Sequence, residues 1–271
     1  METSTYRTLL LDVNAGIATL TLANPDKRNA LSLSALGELR SAFERIGADT
    51  AIKVVVLRAL GPAFCAGHDL RELQCASATA DSELARAIFD ACVSAMDAIQ
   101  AIPQPVIAEV AGIATAAGAQ LVATCDLAYA SLDATFATPG VKIGLFCTTP
   151  MVALSRAIGR KRAMYMLLTG DFIDARTAVA WGLVNDAVPS ELLEAEVLAV
   201  ARKIVAASSF TVGLGKAAFY EQIDLAQPAA YAYASKVMSA NALGDDAREG
   251  IGAFLERRAP SWKEHASRAP V

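Results

Sequence analysis

Two apolar-rich segments separated by a glycine-containing turn open the chain. Residues 9–13 and 17–22 flank Asn14-Ala15-Gly16, and this pattern predicts a β-hairpin across 8–23. A polar loop, Asn24-Pro25-Asp26-Lys27-Arg28-Asn29, follows. Apolar residues then recur at helical spacing (Leu36, Leu39, Phe43, Ile46), with Ser34 as the expected N-cap. Residues 52–60 are apolar except for Lys53 and Arg58, and the run reads as a strand buried on both faces. Gly61-Pro62 breaks it, and a turn feeding a helix is expected over 63–73. A longer helix is expected over 82–101, ending before Pro103. Residues 105–110 read as another buried strand. They lead through a small-residue turn, Ala114-Thr115-Ala116-Ala117-Gly118, into a helix over 119–124 and a strand over 127–130.

The recurrence of strand, small-residue turn and helix predicts an α/β fold of stacked ββα units. No GxGxxG follows any strand, so a dinucleotide-binding fold is not expected. Beyond about residue 150 the pattern becomes helical. Asp174 is the expected N-cap of a helix ending at Trp181, with Gly182 just past its end. Further helices are expected over 191–207 and 245–258. The last has Asp245-Asp246 at its start and Arg257-Arg258 at its end, in the sense that suits the helix dipole, and Pro260 stops it. We divide the chain into a core, 1–195, and a helical C-terminal region, 196–271, whose packing on a neighbouring subunit favours a homo-oligomer.

Composition narrows the function. The chain has 271 residues, 54% of them hydrophobic, enough for a large core without disulfides or metals. No apolar stretch approaches the ~20 residues of a membrane helix, so no membrane partner is expected. A net charge of −4 and the lack of a basic tract argue against nucleic acid. Five cysteines (Cys65, Cys75, Cys92, Cys125, Cys147) form no CxxC pair, and His68 and His265 are the only histidines, so a zinc site is poorly supplied. The N-terminus shows neither a signal-peptide nor a transit-peptide pattern, and a cytoplasmic protein beginning at Met1 is expected.

Two turns carry the candidate chemistry, near Gly67-His68 and near Ala117-Gly118. Each has small residues where a backbone must come close, and each opens a helix, whose first N–H groups lack partners and sit at the positive end of its dipole. On adjacent parallel strands, two such turns could aim two N–H donors at one oxygen, forming an oxyanion hole. The same small residues also allow tight strand–helix packing without any ligand.

Three segments resemble signatures of the crotonase (enoyl-CoA hydratase/isomerase) superfamily. Asn24-Pro25 with Asn29-Ala30-Leu31 resembles its coenzyme-A-binding loop. Phe64-Cys65-Ala66-Gly67-His68-Asp69-Leu70 with Glu72-Leu73 resembles its first oxyanion turn. Residues 105–112, continuing through Ala117-Gly118 to Cys125-Asp126, resemble the second. Leu168-Thr169-Gly170, residues 181–184 and residues 254–260 also fit, so the likeness covers nearly the whole chain in order. Within the superfamily, the AGHDL turn and Phe136 to Pro150 are similar to the enoyl-CoA hydratase domain-containing type 3 proteins. The resemblance implies a crotonase-like spiral with a helical C-terminal trimerisation region, assembled as a homotrimer or a dimer of trimers. It implies an acyl-CoA thioester as ligand, with coenzyme A part of the substrate and no separate cofactor.

Carried over by position, the N–H groups of His68 and Ala117 would hold the thioester oxygen, and Ala30 and Ala66 would line the path of the coenzyme. Arg28 would meet its phosphates, and Arg257 or Arg258 those of a neighbouring subunit. Asp69, Leu70, Phe146, Cys147 and Thr148 complete the expected substrate-binding set. The chain departs from the hydratase pattern at both catalytic glutamates, whose positions hold Gln120 and Gly140. Neither residue can exchange protons, so ordinary hydratase activity is doubtful. An acyl-CoA decarboxylase and a silent acyl-CoA binder are the alternatives; the Ala66-Gly67-His68-Asp69 turn also resembles methylmalonyl-CoA decarboxylase of the same superfamily. The His68 ring could move protons, or could be hydrogen-bonded at the helix start beside Asp69. Cys147 could be a nucleophile or an apolar filler. Gln120 and Thr148 could orient a ligand or a water, while Asp69 and Glu72 could serve to cap and pin the helix of the first turn.

Overall fold

A computed structural model describes residues 6–263; the first residues from Met1, and His265, lie outside it. The chain builds two sheets in successive ββα turns. Strands β1 (Leu9–Asn14) and β2 (Ile17–Leu22) form the expected hairpin, followed by α1 (Leu33–Ala48). The first full turn is β3 (Val54–Ala59), β4 (Ala63–Cys65), α2 (Leu70–Ala78) and α3 (Ser82–Ala101). The second is β5 (Val106–Val110), β6 (Ile113–Thr115) and α4 (Ala117–Thr124). The third is β7 (Leu127–Ser131), β8 (Thr135–Ala137), a 3₁₀ turn (Pro139–Ile143), α5 (Thr148–Ala157) and α6 (Arg160–Thr169). Strand β9 (Ile173–Asp174), α7 (Ala175–Trp181) and β10 (Asp186–Val188) close the core. Helices α8 (Leu193–Val205), α9 (Ser209–Gln222), α10 (Gln227–Ala242) and α11 (Asp245–Glu256) follow.

The first strand of each turn enters a six-stranded sheet ordered β1-β2-β3-β5-β7-β10, parallel except for β1. The second enters a four-stranded sheet ordered β4-β6-β8-β9, in which only β9 is antiparallel. Side-chain alternation explains why 52–60 reads as one apolar run. Val55 and Leu57 face the main core with Phe43 and Phe64, while Val54 and Val56 face Leu193, Val197 and Ala201 of α8.

Several boundaries differ from expectation. Helix α1 is capped by Ser32, not Ser34: the Ser32 hydroxyl accepts from the Ala35 N–H, and Glu72 of α2 accepts from the Leu33 N–H. Helix α4 starts at Ala117, two residues earlier than the pattern suggested. The helix expected over 191–207 is a 3₁₀ turn at Ser190–Leu192 followed by α8. The last helix stops at Glu256, because Arg257 turns left-handed (φ 56°) and caps it. Asp174 and Gly182 bound α7 as expected, with the Asp174 carboxylate accepting from the Thr177 N–H and Gly182 at φ 86°.

Lys216 of α9 fastens the helical tail to the core. Its ammonium is buried and donates to the carbonyls of Ile99 (2.7 Å) and Gln104 (3.0 Å) and to Asp126 (2.7 Å). Asp126 also accepts from the Tyr220 hydroxyl (2.9 Å) and the Val106 N–H (2.7 Å). The last helices leave large apolar side chains in the open, among them Leu243 (80% exposed) and Phe254 (82%).

Candidate active site

The two small-residue turns lie side by side because β4 and β6 are parallel neighbours, with Cys65 paired to Ala114. Their glycines interlock. Gly67 has φ +89°, and a Cβ there would stand 3.0 Å from both the Thr115 carbonyl oxygen and the Ala116 methyl. A Cβ on Gly118 would stand 2.1 Å from the Cys65 carbonyl oxygen. Ala116 itself holds φ 51° and ψ −116°, a conformation rare for a residue with a Cβ, and its N–H is pinned to the Ala137 carbonyl at 2.9 Å. The Thr115 hydroxyl ties the turns together by donating to the Ala66 carbonyl (3.1 Å).

The loop of 24–31 packs beneath. Asn29 accepts from the Asn24 N–H and donates to the carbonyls of Leu60 (2.9 Å) and Ala63 (2.8 Å). Leu31 brackets His68: its N–H donates to Gly67, and its carbonyl accepts from Asp69. The N–H between these two bonds, that of His68, and the N–H of Ala117 at the start of α4 meet no protein acceptor among the described residues.

Both turns open onto a cavity of about 310 Å³. Of the expected site residues, Ala66, His68, Leu70, Ala117, Gly140, Phe146, Cys147 and Thr148 line it. Phe89 of α3 and Lys142 of the 3₁₀ turn line it too; neither carries a local signal of this, Phe89 lying in an ordinary helical pattern and Lys142 in a short loop segment. Four expected residues lie elsewhere. Gln120 is 5% exposed, is not among the cavity-lining residues, and accepts from the Cys92 thiol of α3 at 3.9 Å. Asp69 is not among the cavity-lining residues; it caps α2 through the Arg71 N–H (3.0 Å) and pairs loosely with Lys27 (3.9 Å). Ala30 lines a separate small recess with Asn24 and Leu31. Arg28 lies outside the cavity, on the left-handed residue that ends the turn Pro25–Lys27.

The His68 ring is not bonded beside Asp69. Neither ring nitrogen has a hydrogen-bond partner among the described residues, and the ring stands edge-on to Phe89 (5.3 Å, 86°). Burial holds its pKa below the ordinary imidazole range, so the ring is neutral at pH 7. Burial raises the Cys147 thiol, only partly offset by the Gly140 N–H, which leaves a protonated thiol and not a ready nucleophile. The Arg258 guanidinium is forked onto Glu249 (2.7 and 2.9 Å), which draws the Glu249 carboxyl down to about 2.

Two sheets coiled in ββα turns, with two helix starts facing one cavity, define a crotonase-type protein. The sequence pattern of the enoyl-CoA hydratase/isomerase family matches residues 12–265, and the chain belongs to that family. It is 47% identical over 253 residues to the mitochondrial enoyl-CoA hydratase domain-containing protein 3 of Danio rerio, covering 93% of this chain and 86% of the relative. The crystal structure of human enoyl coenzyme A hydratase domain-containing protein 3 superposes with a TM-score of 0.91 at 44% identity, covering 94% of this chain and 100% of the other. A Mycobacterium smegmatis enoyl-CoA hydratase structure gives a TM-score of 0.91 at 48% identity, over 95% and 99% of the two chains. The expectation of a cytoplasmic location is overturned by the zebrafish relative, whose name places it in mitochondria.

Proposed function

We propose that the cavity receives the acyl part of a coenzyme A thioester, its carbonyl oxygen between the N–H groups of His68 and Ala117, and that the protein stabilises the thioester enolate. The observation that carries this reading is the pair of unpaired N–H groups at facing helix starts over one cavity. A backbone donor fixed at such a place contributes about 3 kcal/mol to a developing oxyanion. No Asp or Glu is among the cavity-lining residues, so hydration by two carboxylates is not the chemistry we assign. Ala66 flanks the thioester, and Arg28 would approach the coenzyme phosphates. The open apolar faces of the last helices support self-association, as a homotrimer or a dimer of trimers, and the relatives' naming supports a mitochondrial location.

A second reading, decarboxylation of a 2-carboxyacyl thioester, is favoured by the same lack of carboxylates. The bond to the carboxylate carbon breaks, CO2 departs, and the electron pair left behind becomes the enolate without a base. Mass spectrometry of crotonyl-, butyryl-, malonyl- and methylmalonyl-CoA incubated with the protein in D2O tests both readings, with binding measured separately. Deuterium at the α-carbon is the expected result, and loss of CO2 selects the second reading. Tight binding with no mass change would leave a silent acyl-CoA binder.

A further inference from the structure

Each N–H donor of the two turns is held from its own side. The peptide that carries the His68 N–H is pinned through the Gly67 carbonyl, which accepts from the Leu31 N–H at 2.7 Å. The peptide that carries the Ala117 N–H is pinned through the Ala116 carbonyl, which accepts from the Gln120 N–H at 3.0 Å. These bonds tie the first donor to the loop of 24–31 and the second to α4, and neither sets the spacing between the donors. The pairing of β4 with β6 ends at Cys65 and Ala114, before both turns. The missing side chains of Gly67 and Gly118 let the turns come close but do not draw them together.

One bond does. Among the described residues, the bond from the Thr115 hydroxyl to the Ala66 carbonyl (3.1 Å) is the only hydrogen bond between residues 66–68 and 115–117. Its two ends are placed alike: Ala66 stands two positions before His68, and Thr115 two positions before Ala117. The residues between are the two with unusual backbone, Gly67 at φ 89° and Ala116 at φ 51°. A positive φ at a residue with a Cβ persists only where its surroundings hold it. Thr115 is 8% exposed and is not among the cavity-lining residues, whereas Ala66 is.

We propose that Thr115 is a positioning residue: its hydroxyl, acting through the Ala66 carbonyl, sets the spacing of the His68 and Ala117 N–H groups that receive the thioester oxygen. The inference rests on the thioester reading above. Thr115→Val keeps the branched shape of the side chain and removes the donor, so the first turn is free to draw back from the second. One N–H then points past the oxygen, and a hydrogen bond weakens steeply as it bends.

The test is isotope-difference infrared spectroscopy of butyryl-CoA labelled at its carbonyl carbon, with binding measured in parallel. In wild-type protein the carbonyl band is expected to move to lower frequency on binding, because two N–H donors polarise it. Thr115→Val should lose roughly half of that movement while still binding, since one donor of two goes out of line. Thr115→Ser, which keeps the hydroxyl, should restore it. Where Thr115→Val does not fold, Thr115→Ala against Thr115→Ser makes the same comparison. A full band movement in Thr115→Val overturns the proposal and leaves the thioester reading standing. Equal loss in Thr115→Val and Thr115→Ser also overturns it, by assigning the effect to packing and not to the hydroxyl. No band movement in wild-type protein that binds butyryl-CoA removes the thioester reading, and the proposal with it.

Discussion

Gly140 and Leu145 are locked backbone to backbone. The Leu145 N–H donates to the Gly140 carbonyl at 2.9 Å, and a Cβ on Gly140 would stand 2.0 Å from the Leu145 carbonyl oxygen. The Cys147 sulfur would be only 2.8 Å from the same Cβ. The position that corresponds to a glutamate by resemblance is therefore filled by the following loop. Restoring carboxylates as Gln120→Glu with Gly140→Glu should not produce crotonyl-CoA hydration above background. Gly140→Glu alone should lower stability by about 1–3 kcal/mol or more. Thermal unfolding and a hydration assay check the two halves; a folded double variant that hydrates crotonyl-CoA would show that the loop yields.

Gly118→Ala tests the interlock of the turns. The added methyl must push against the Cys65 carbonyl oxygen, 2.1 Å from its ideal place, and backbone cannot swing away as a side-chain tip can. A loss of about 1–3 kcal/mol is expected from urea titration, together with weaker acyl-CoA binding. Unchanged stability would mean that the turns are looser than their geometry indicates.

His68 should make the fold acid-sensitive. Its folded pKa lies below that of an unfolded histidine, about 6.5, because burial disfavours the charged ring. Above pH 6.5 the ring is neutral in both states and has no effect on the pH slope. As pH falls below 6.5 the unfolded chain takes up the proton first, so stability declines until the folded pKa is reached. His68→Gln should remove this part of the decline in denaturation curves between pH 7 and pH 5, and an unaltered slope would deny the shift.

Lys216→Met should cost about 3–5 kcal/mol, because it leaves the Asp126 carboxylate in a largely enclosed site with no cation. The damage should begin at the C-terminal helices, since Lys216 joins α9 to the carbonyls of Ile99 and Gln104. Hydrogen exchange should show α9 and α10 losing protection before β3 and β5.

Much of the core was legible because its signals are local. The hairpin around Gly16, the run of 52–60 and the caps at Asp174 and Gly182 each follow from neighbouring residues. The strands β4, β6 and β8 have three residues each, too few to show a period of two. Helices α9 and α10 escaped notice because their apolar residues are not confined to one buried face: Tyr231 and Met238 are both 70% exposed. At the site, the two turns could be read from their small residues. The orientation of Gln120 toward Cys92 could not, because it depends on α3 packing against α4, a contact between residues 28 apart in the chain. The freedom of the His68 ring was equally hidden, since it depends on Asp69 turning back to its own helix.

The interlock of Gly67 and Gly118 is made mostly of main chain and of the side chains these two glycines lack. Substitution elsewhere in the cavity therefore leaves it standing, and proton-carrying groups can come and go around an unchanged seat. The backbone seat and the chemistry of the groups around it can therefore vary independently of each other.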